Sequence, residues 1–289
     1  MCRKHVAGCD TIGFEKVTAR NETIPDISGS SNLILKPALG VSSIGIHAVS
    51  PGQESPYLGL EDPCGMINFE TSFIDKDCRD AAGIVEEYVD WSYKRVSCDC
   101  YLFDGKTYPF SIADNVYCKD NLEVFDHLMV PTQDLTEQEQ DACWRQMDII
   151  CGSLHEKYGM DNQFICTEFF VKGDEAHVME VNPRISANQA PCFRRVFENG
   201  CAVEAMIWLQ LGVCPERPVH RPDVYGVSLY KGRIHGRTVP EIEHVGTDLT
   251  WYDRLDKDAH VYSYGPDPTA IIAAGNEFYN RLKSEHESS

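Results

Sequence analysis

Residues 164–184 predict two β-strands joined by a tight turn. The residue types over Phe164–Val171 and over Ala176–Asn182 favour β-strands, in which successive side chains point to opposite faces. The four residues between these strands, Lys172–Glu175, include a glycine and an aspartate, which favour a turn. Two strands this close in sequence pair as an antiparallel hairpin, so the segment commits the chain to a fold with a β-sheet.

The hairpin carries a pair of carboxylates. Glu180 and Asn182 share one face of the second strand, and a three-residue or five-residue loop would place Glu168 of the first strand directly opposite Glu180. Like charges paired across two strands repel each other, so folding does not favour the pair unless a cation lies between them. Carboxylate and amide oxygens are the ligands that Mg²⁺ prefers. The alternative is an exposed hairpin with scattered charges.

The sequence E-x-N-P-R closes the second strand, twelve positions after the first glutamate. Here the chain resembles the metal-binding core of the ATP-grasp enzymes, which include L-amino-acid ligases, biotin carboxylases and carbamoyl-phosphate synthetases. The resemblance implies an α+β fold of two subdomains with mainly antiparallel sheets that bind ATP between them. It also implies that Glu168, Glu180 and Asn182 hold Mg²⁺ or Mn²⁺, and that Arg184 is a catalytic residue contacting the reacting groups.

A second segment points to phosphate binding. The short apolar strand NLILK ends at Lys36, and Ser42 and Ser43 follow in a glycine-containing loop. Such a loop can direct backbone N–H groups toward phosphates, although a strand followed by a Gly/Ser turn is commonly just a hairpin. Together with the downstream E-x-N-P-R, it resembles the ATP-grasp phosphate loop. The resemblance makes Lys36 both a catalytic and a phosphate-binding residue, with the two serines beside it.

Residues 83–89 predict a further strand. In ATP-grasp enzymes a segment of this kind meets the adenine ring. The resemblance implies that Glu86 contacts the adenine amino group and that the backbone around Glu87 and Val89 contacts the adenine edge. The alternative is an ordinary strand with a surface acidic pair.

This assignment divides the chain into three parts. We expect residues 1–20 to be an N-terminal remnant that packs on the large body. Residues 21–85 would form a small lid subdomain with the phosphate loop, and residues 86–289 the large subdomain with the metal site. ATP-grasp proteins usually carry a separate α/β domain before this point, and we expect this chain to lack it. A partner domain or a homo-oligomer is therefore expected.

The clearest helix is predicted over residues 135–158, because Thr136 and Glu139 form a capping-box pattern ahead of a helical apolar period. Residues 95–103 and 107–116 alternate around Asp-Gly and predict a hairpin.

The C-terminal third predicts further elements of both kinds. Residues 201–211 predict an amphipathic helix. Residues 270–275, AIIAAG, predict the last strand, and residues 276–285 predict a closing helix.

Composition restricts the partners. The net charge of −19 argues against nucleic acid and anionic membranes. The N-terminus lacks the apolar region of a signal peptide, and no apolar run reaches transmembrane length. Thirteen cysteines without a secretory signal favour reduced, buried thiols and a cytoplasmic location. Cys98 and Cys100 are too isolated from other Cys or His pairs to predict a zinc site.

The residues after Arg184 restrict the reaction. Biotin-dependent carboxylases of the superfamily have a glutamate and a histidine where this chain has Asn188 and Gln189, and an amide cannot act as a general base. Arg194 and Arg195 follow at a position suited to holding a substrate carboxylate, to which Asn188 would also contribute. The alternative is a solvated basic pair at the start of a helix.

We therefore predict an ATP-dependent carboxylate–amine ligase of amino-acid type that works through an acyl phosphate with Mg²⁺. Its substrates would be ATP, a small carboxylic acid and an amine. Two alternatives stay open. One is an ATP-binding subunit that is inactive without a partner domain, and the other is an enzyme that phosphorylates bicarbonate. The sequence does not identify the acid or the amine.

Overall fold

A computed structural model describes most of the chain. The described residues are 9, 11–18, 20–27, 29–37, 46–59, 81–118, 121–186, 188–229, 243–245, 249–253 and 259–287. They divide into two compact units. The first contains the described residues from 11 to 93, and the second contains those from 94 to 287 together with Cys9.

The first unit is built on a four-stranded antiparallel sheet. Its strands are β1 Phe14–Thr18, β2 Leu33–Pro37, β3 His47–Val49 and β4 Ala81–Glu87, in the spatial order β1-β4-β2-β3. One face of this sheet is apolar because residues at alternate positions, such as Leu33, Leu35 and Val85, are all buried in one cluster. The opposite face carries Ile34, Lys36, Ile84 and Glu86.

This division differs from the predicted boundaries in two places. Residues 14–18 do not form a remnant on the large body, because β1 pairs along its whole length with β4 of the first unit. The first unit also continues past residue 85 to Tyr93, since β4 extends to Glu87 within the same sheet.

The second unit is built on a nine-stranded antiparallel sheet of spatial order β13-β14-β15-β12-β7-β6-β5-β8-β9. Its strands are β5 Lys94–Phe103, β6 Lys106–Cys118, β7 Asn121–Val130, β8 Gln163–Lys172, β9 Glu175–Asn182, β12 Tyr225–Leu229, β13 Glu243–Val245, β14 Leu249–Asp253 and β15 Ala259–Gly265. A separate two-stranded sheet pairs β10 Phe197–Glu198 with β11 Val219–His220.

Helices cover both faces of the large sheet. They are α1 Glu137–Tyr158, α2 Ala190–Val196, α3 Ala202–Gln210 and α4 Pro268–Glu287. The face that carries Val96, Cys98 and Cys100 of β5 packs against α1. The opposite face carries Tyr101 of β5 and Phe164 of β8 and packs against α2 and α3. The second face becomes polar toward β9, and that polar part is where the candidate site lies.

Cysteines contribute to the contact between β5 and α1. The Sγ atoms of Cys100 and Cys151 lie 3.6 Å apart, and burial raises the pKa values of the Cys98 and Cys100 thiols well above the ordinary value. Cys98, Cys100, Cys143 and Cys151 are all buried free thiols. Protonated thiols in an apolar layer behave as small apolar side chains, so Cys98 and Cys100 serve packing in this structure.

The predicted elements are largely present. The α+β class with mainly antiparallel sheets is confirmed, and α1 begins at the Thr136–Glu139 capping box and ends at Gly159 in the left-handed conformation. The prediction of a strand over residues 270–275 is wrong, because these residues lie in α4. The carboxylate of Asp267 accepts hydrogen bonds from the first turn of α4. Ile271 and Phe278, two turns apart on one face of the helix, are buried in the same apolar cluster.

No helix in the described part of the chain is both long and apolar enough to span a membrane.

Candidate functional site

The hairpin of β8 and β9 places Glu168 directly opposite Glu180, as predicted. The turn, however, is neither three nor five residues long. It consists of Gly173 and Asp174 alone, with Gly173 in the left-handed conformation at φ 63°. The register then shifts between Glu168 and Phe169, which leaves Met179 as the extra residue of a β-bulge. The bulge, and not the loop length, brings the two carboxylates together.

The oxygen-bearing side chains beside this pair suit a hard cation. Asn182 pairs with Cys166 and lies on the same face as Glu180. Glu168 and Asn182 are half-buried and Glu180 is exposed. Two carboxylates and one amide oxygen on one sheet face form a donor set that fits Mg²⁺ or Mn²⁺. Among the described residues there is no cluster of three or more His, Cys, Asp or Glu that could hold a metal.

Arg95 and Tyr117 lie close to the glutamate pair and were not predicted from the sequence. The Arg95 guanidinium lies 5.1 Å from the centre of the Phe170 ring and 5.8 Å from that of Tyr117. Burial raises the pKa of Tyr117, and the nearby charges of Glu168 and Glu180 raise it further. Arg95 lies on the face of Glu168 because β5 pairs with β8, which no local pattern in the sequence reveals.

Asp99 is a second residue that sequence analysis did not single out. It lies on β5 opposite Cys166 of β8 and opposite Ser111 of β6, and its side chain is 0% exposed. Neither carboxylate oxygen has a hydrogen-bond partner of ordinary geometry among the described residues. Burial raises the pKa of Asp99 to about 8; the backbone of Ser186, the Cys166 thiol and the Arg184 charge oppose this increase, and Glu168 adds to it.

The segment after β9 crosses the same polar face. The Arg184 side chain is exposed and donates to the Ile185 carbonyl over 3.0 Å. Gln189 is buried, and its Nε2 atom donates to Asn115 Oδ1 over 3.5 Å. Asn115 in turn donates to Ser97 Oγ of β5 over 2.6 Å. Polar groups of β5 and β6 therefore support the end of the segment near Gln189.

Two groups of predicted substrate residues lie in different places. Asn188 is half-buried in the segment just described. Arg194 and Arg195 are exposed on α2, whose buried residues include Phe193. The Phe193 ring lies 4.8 Å from that of Phe110 on β6, and α2 also packs on β12 and β15. The arginine pair thus belongs to a helix centred over other strands than β8 and β9.

In the first unit, Lys36 and Glu86 form an ion pair. Lys36 Nζ lies 2.7 Å from Glu86 Oε2, with Glu86 buried and the lysine side chain 23% exposed. The two residues lie diagonally on neighbouring strands of one sheet face. Glu87 accepts from the Gly13 backbone N–H over 3.3 Å, and Val89 is half-buried beyond the end of β4. The predicted phosphate-loop residues Ser42 and Ser43 lie outside the described residues.

The ion pair makes Lys36 a structural residue as well as a candidate ligand. We expect Lys36→Ala to lower the free energy of unfolding by about 1–3 kcal/mol, because a buried carboxylate loses a cationic partner. Arg20→Ala is the control, since Arg20 is an exposed cation of the first unit in the turn after β1. It should change stability by less than about 0.5 kcal/mol. Urea denaturation measures both, and equal effects would contradict the role of the ion pair.

The model of the ATP-grasp domain family matches residues 30–192, more than half of the 289 residues. The chain belongs to the ATP-grasp family. No curated protein sequence matches this ATP-grasp protein. The match includes Lys36, both glutamates of the hairpin, Asn182 and Arg184.

Solved structures share the fold at low identity. An L-amino acid ligase from Bacillus licheniformis is 16% identical with a TM-score of 0.61, over 98% of this chain and 69% of that one. Biotin carboxylase from Campylobacter jejuni is 14% identical with a TM-score of 0.66, over 94% of this chain and 63% of that one. Carboxyaminoimidazole ribonucleotide synthase from Aspergillus clavatus, complexed with ATP, is 10% identical with a TM-score of 0.66, over 98% of this chain and 72% of that one. These likenesses confirm the predicted ATP-grasp fold.

Proposed function

We propose that this ATP-grasp protein is an ATP-dependent carboxylate–amine ligase that works through an acyl phosphate. The observation that carries the proposal is the cross-strand pairing of Glu168 with Glu180 in a domain of this family, beside Asn182. Two facing carboxylates repel each other, so the pair favours a cation bound beside it. The neighbours named L-amino acid ligase and carboxyaminoimidazole ribonucleotide synthase support the reaction class.

The chain's own residues have distinct roles in this proposal. Glu168, Glu180 and Asn182 would hold Mg²⁺, which neutralises charge on the ATP phosphates when it is bound. Arg184 would stabilise the transferring phosphoryl group and Lys36 would contact the phosphates. Glu86, Glu87 and Val89 are proposed for the adenine ring, and because Glu86 already pairs with Lys36, one contact would orient both groups.

The proposed reaction has two steps. An oxygen of the substrate carboxylate attacks the γ-phosphorus of ATP, the bond to the bridging oxygen breaks, and ADP leaves. An amine then attacks the carbonyl carbon of the acyl phosphate, and phosphate leaves as the C–N bond forms. The protein contributes mainly position and charge, so no protein nucleophile is required.

The experiment that tests the proposal is a survey of ADP release. We expect amino-acid pools with Mg²⁺ to stimulate release, and we expect free biotin with bicarbonate not to do so, because Asn188 and Gln189 cannot accept a proton. Response to bicarbonate and biotin alone would contradict the ligase proposal. MgATP binding without ADP release from any pool would instead favour the alternative of an ATP-binding subunit that needs a partner.

The same assay tests the arginine pair on α2. If Arg194 and Arg195 hold the substrate carboxylate, changing either to alanine raises the KM for the acid and leaves the KM for ATP unchanged. Arg221→Ala is the matched control, since Arg221 is an exposed arginine outside α2 that lies 3.9 Å from Glu198. Equal KM values for the acid in parent, α2 variants and control would remove the pair from the proposed site.

A further inference from the structure

Helix α3 has a second apolar face beyond the one that packs in the core. The face that packs in the core consists of Ala202, Ala205 and Leu209. On another side of the helix, Val203, Ile207 and Leu211 recur at intervals of four residues, and their side chains are 60%, 56% and 66% exposed. Neighbouring exposed apolar side chains of this size are typical of a ligand-binding groove or an interface.

The exposed face of α3 forms one wall of a groove with a volume of about 460 Å³. Sites for small molecules commonly have volumes of about 300–1,000 Å³. The groove is lined by five apolar side chains and one amide, which are Ile185, Val203, Met206, Ile207, Gln210 and Leu211. Because none of these side chains is charged, the groove suits an apolar group and does not suit a phosphate or a carboxylate.

Both walls of the groove are attached to the residues that begin β8. Gln210 Nε2 of α3 donates to the Asn162 carbonyl over 3.0 Å. On the other side, Gln163 Nε2 donates to the Pro183 carbonyl over 2.9 Å, two residues before Ile185. The two walls are therefore held in place without a ligand, and a bound side chain would not have to order them.

The groove adjoins the reacting end of the proposed site through Ile185. Arg184 directly precedes Ile185, and its guanidinium donates to the Ile185 carbonyl over 3.0 Å. The proposed function places Arg184 at the phosphoryl group that the substrate carboxylate takes up. The carboxylate would then lie beside Arg184, and the rest of the acid would lie within reach of the groove.

We propose that this groove binds the side chain of the substrate acid, and that the acid carries a large apolar side chain of the size of leucine or phenylalanine. The assignment rests on the proposed function, because the carboxylate of the acid is what connects the groove to Arg184. Ile185, Val203 and Ile207 are then specificity-determining residues. They act on the choice of acid and do not touch the reacting atoms.

Equilibrium binding tests the groove without any need for turnover. Calorimetry measures the dissociation constants of glycine, L-leucine and L-phenylalanine in the presence of Mg²⁺ and a non-hydrolysable ATP analogue. We expect leucine and phenylalanine to bind the parent about 10–100-fold more tightly than glycine, since burial of one large apolar side chain provides a difference of this size. Equal affinities for the three amino acids, or no binding of leucine and phenylalanine, would overturn the proposal.

Two exposed valines provide a matched pair of variants. Val203→Ser changes the groove, whereas Val219→Ser changes a valine that is 57% exposed on β11, outside the groove. Val203→Ser and Ile207→Ser should each reduce the preference for leucine over glycine by about 3–10-fold, because apolar contact area is lost. The preference should stay at the parent value in Val219→Ser. Equal preferences in the groove variants and the control would contradict the proposal.

Turnover gives a second readout for the same variants. Val203 and Ile207 are more than half exposed, so we expect both serine variants to fold. In the active protein they should raise the KM for leucine more than they lower kcat, because the groove contacts are the same before and during the reaction. A loss in kcat at unchanged KM would show that these residues do not select the acid.

The possible outcomes separate the groove from the proposed function. Leucine binding that depends on Val203, in a protein that releases no ADP, would contradict the proposed function while retaining the groove. An active ligase with the same kcat/KM for glycine and leucine would do the reverse. If the groove variants instead change the oligomeric state in sedimentation velocity and leave the preference unaltered, the groove is an interface between copies of the chain and the proposal is wrong.

Discussion

Changing Glu168 to glutamine should lower Mg²⁺-dependent ADP formation by about 10²–10³-fold, the range expected when one preorganised electrostatic contact is removed. The amide keeps the size of the side chain but loses the charge that holds the cation. Glu180→Gln should give a loss of similar size. Steady-state assays over a range of Mg²⁺ concentrations measure both, and added Mg²⁺ should restore only part of the rate.

The repulsion between the two glutamates gives this prediction a second readout. Without Mg²⁺, Glu180→Gln should raise the free energy of unfolding by about 0.2–1 kcal/mol, because a like-charge pair directly across two strands is removed. Glu175→Gln is the matched control, since Glu175 begins the same strand but lies opposite Lys172. Full Mg²⁺-dependent turnover in the Glu168→Gln protein would contradict the metal site.

Asp99→Asn should make the protein more stable, and increasingly so between pH 4 and pH 8. The pKa of Asp99 rises from 3.8 to about 8 on folding, chiefly through burial. Between these values the folded chain holds one more proton than the unfolded chain, so the contribution of Asp99 to the free energy of unfolding falls with rising pH. The slope is about 1.4 kcal/mol per pH unit, and the contribution is constant above pH 8.

Urea denaturation of parent and variant at pH 4.5, 6, 7 and 8.5 measures this difference. We expect the Asp99→Asn protein to gain roughly 2–5 kcal/mol over the parent by pH 8.5, since discounting for local relaxation lowers the full value. Other titrating groups cancel in the comparison. Asp114→Asn is a useful contrast, because Asp114 is also buried but accepts hydrogen bonds from Thr132 and Gln133. These hydrogen bonds hold the pKa of Asp114 at about 6, so the difference for Asp114→Asn should change less with pH and be constant above pH 6. A pH-independent difference for Asp99→Asn would show that its carboxyl group titrates normally.

The hairpin and the long helix could be predicted because their signals are local. Alternation along β8 and β9 and the capping box of α1 lie within a few residues of the elements they define. The pairing of Glu168 with Glu180 was predicted, but its cause was not. A bulge at Met179 depends on how β9 packs against the rest of the sheet, and loop length alone does not reveal it.

The positions of Asp99 and Arg95 next to the site could not be predicted, because they depend on strand order. Asp99 lies beside Cys166 only because β5 pairs with β8 across more than sixty residues of chain. Arg95 approaches Phe170 for the same reason. The strand predicted for AIIAAG failed because short apolar runs fit either strand or helix, and here the cap at Asp267 decides.

The most direct test of the central claim follows oxygen atoms through the reaction. The protein is incubated with Mg²⁺, ATP and an amino-acid pool whose carboxyl groups carry ¹⁸O, and the released phosphate is analysed by mass spectrometry. An acyl-phosphate ligase transfers one carboxyl oxygen to the phosphate, so we predict phosphate heavier by one ¹⁸O atom. Release of unlabelled phosphate at the same rate with and without the pool would contradict the account.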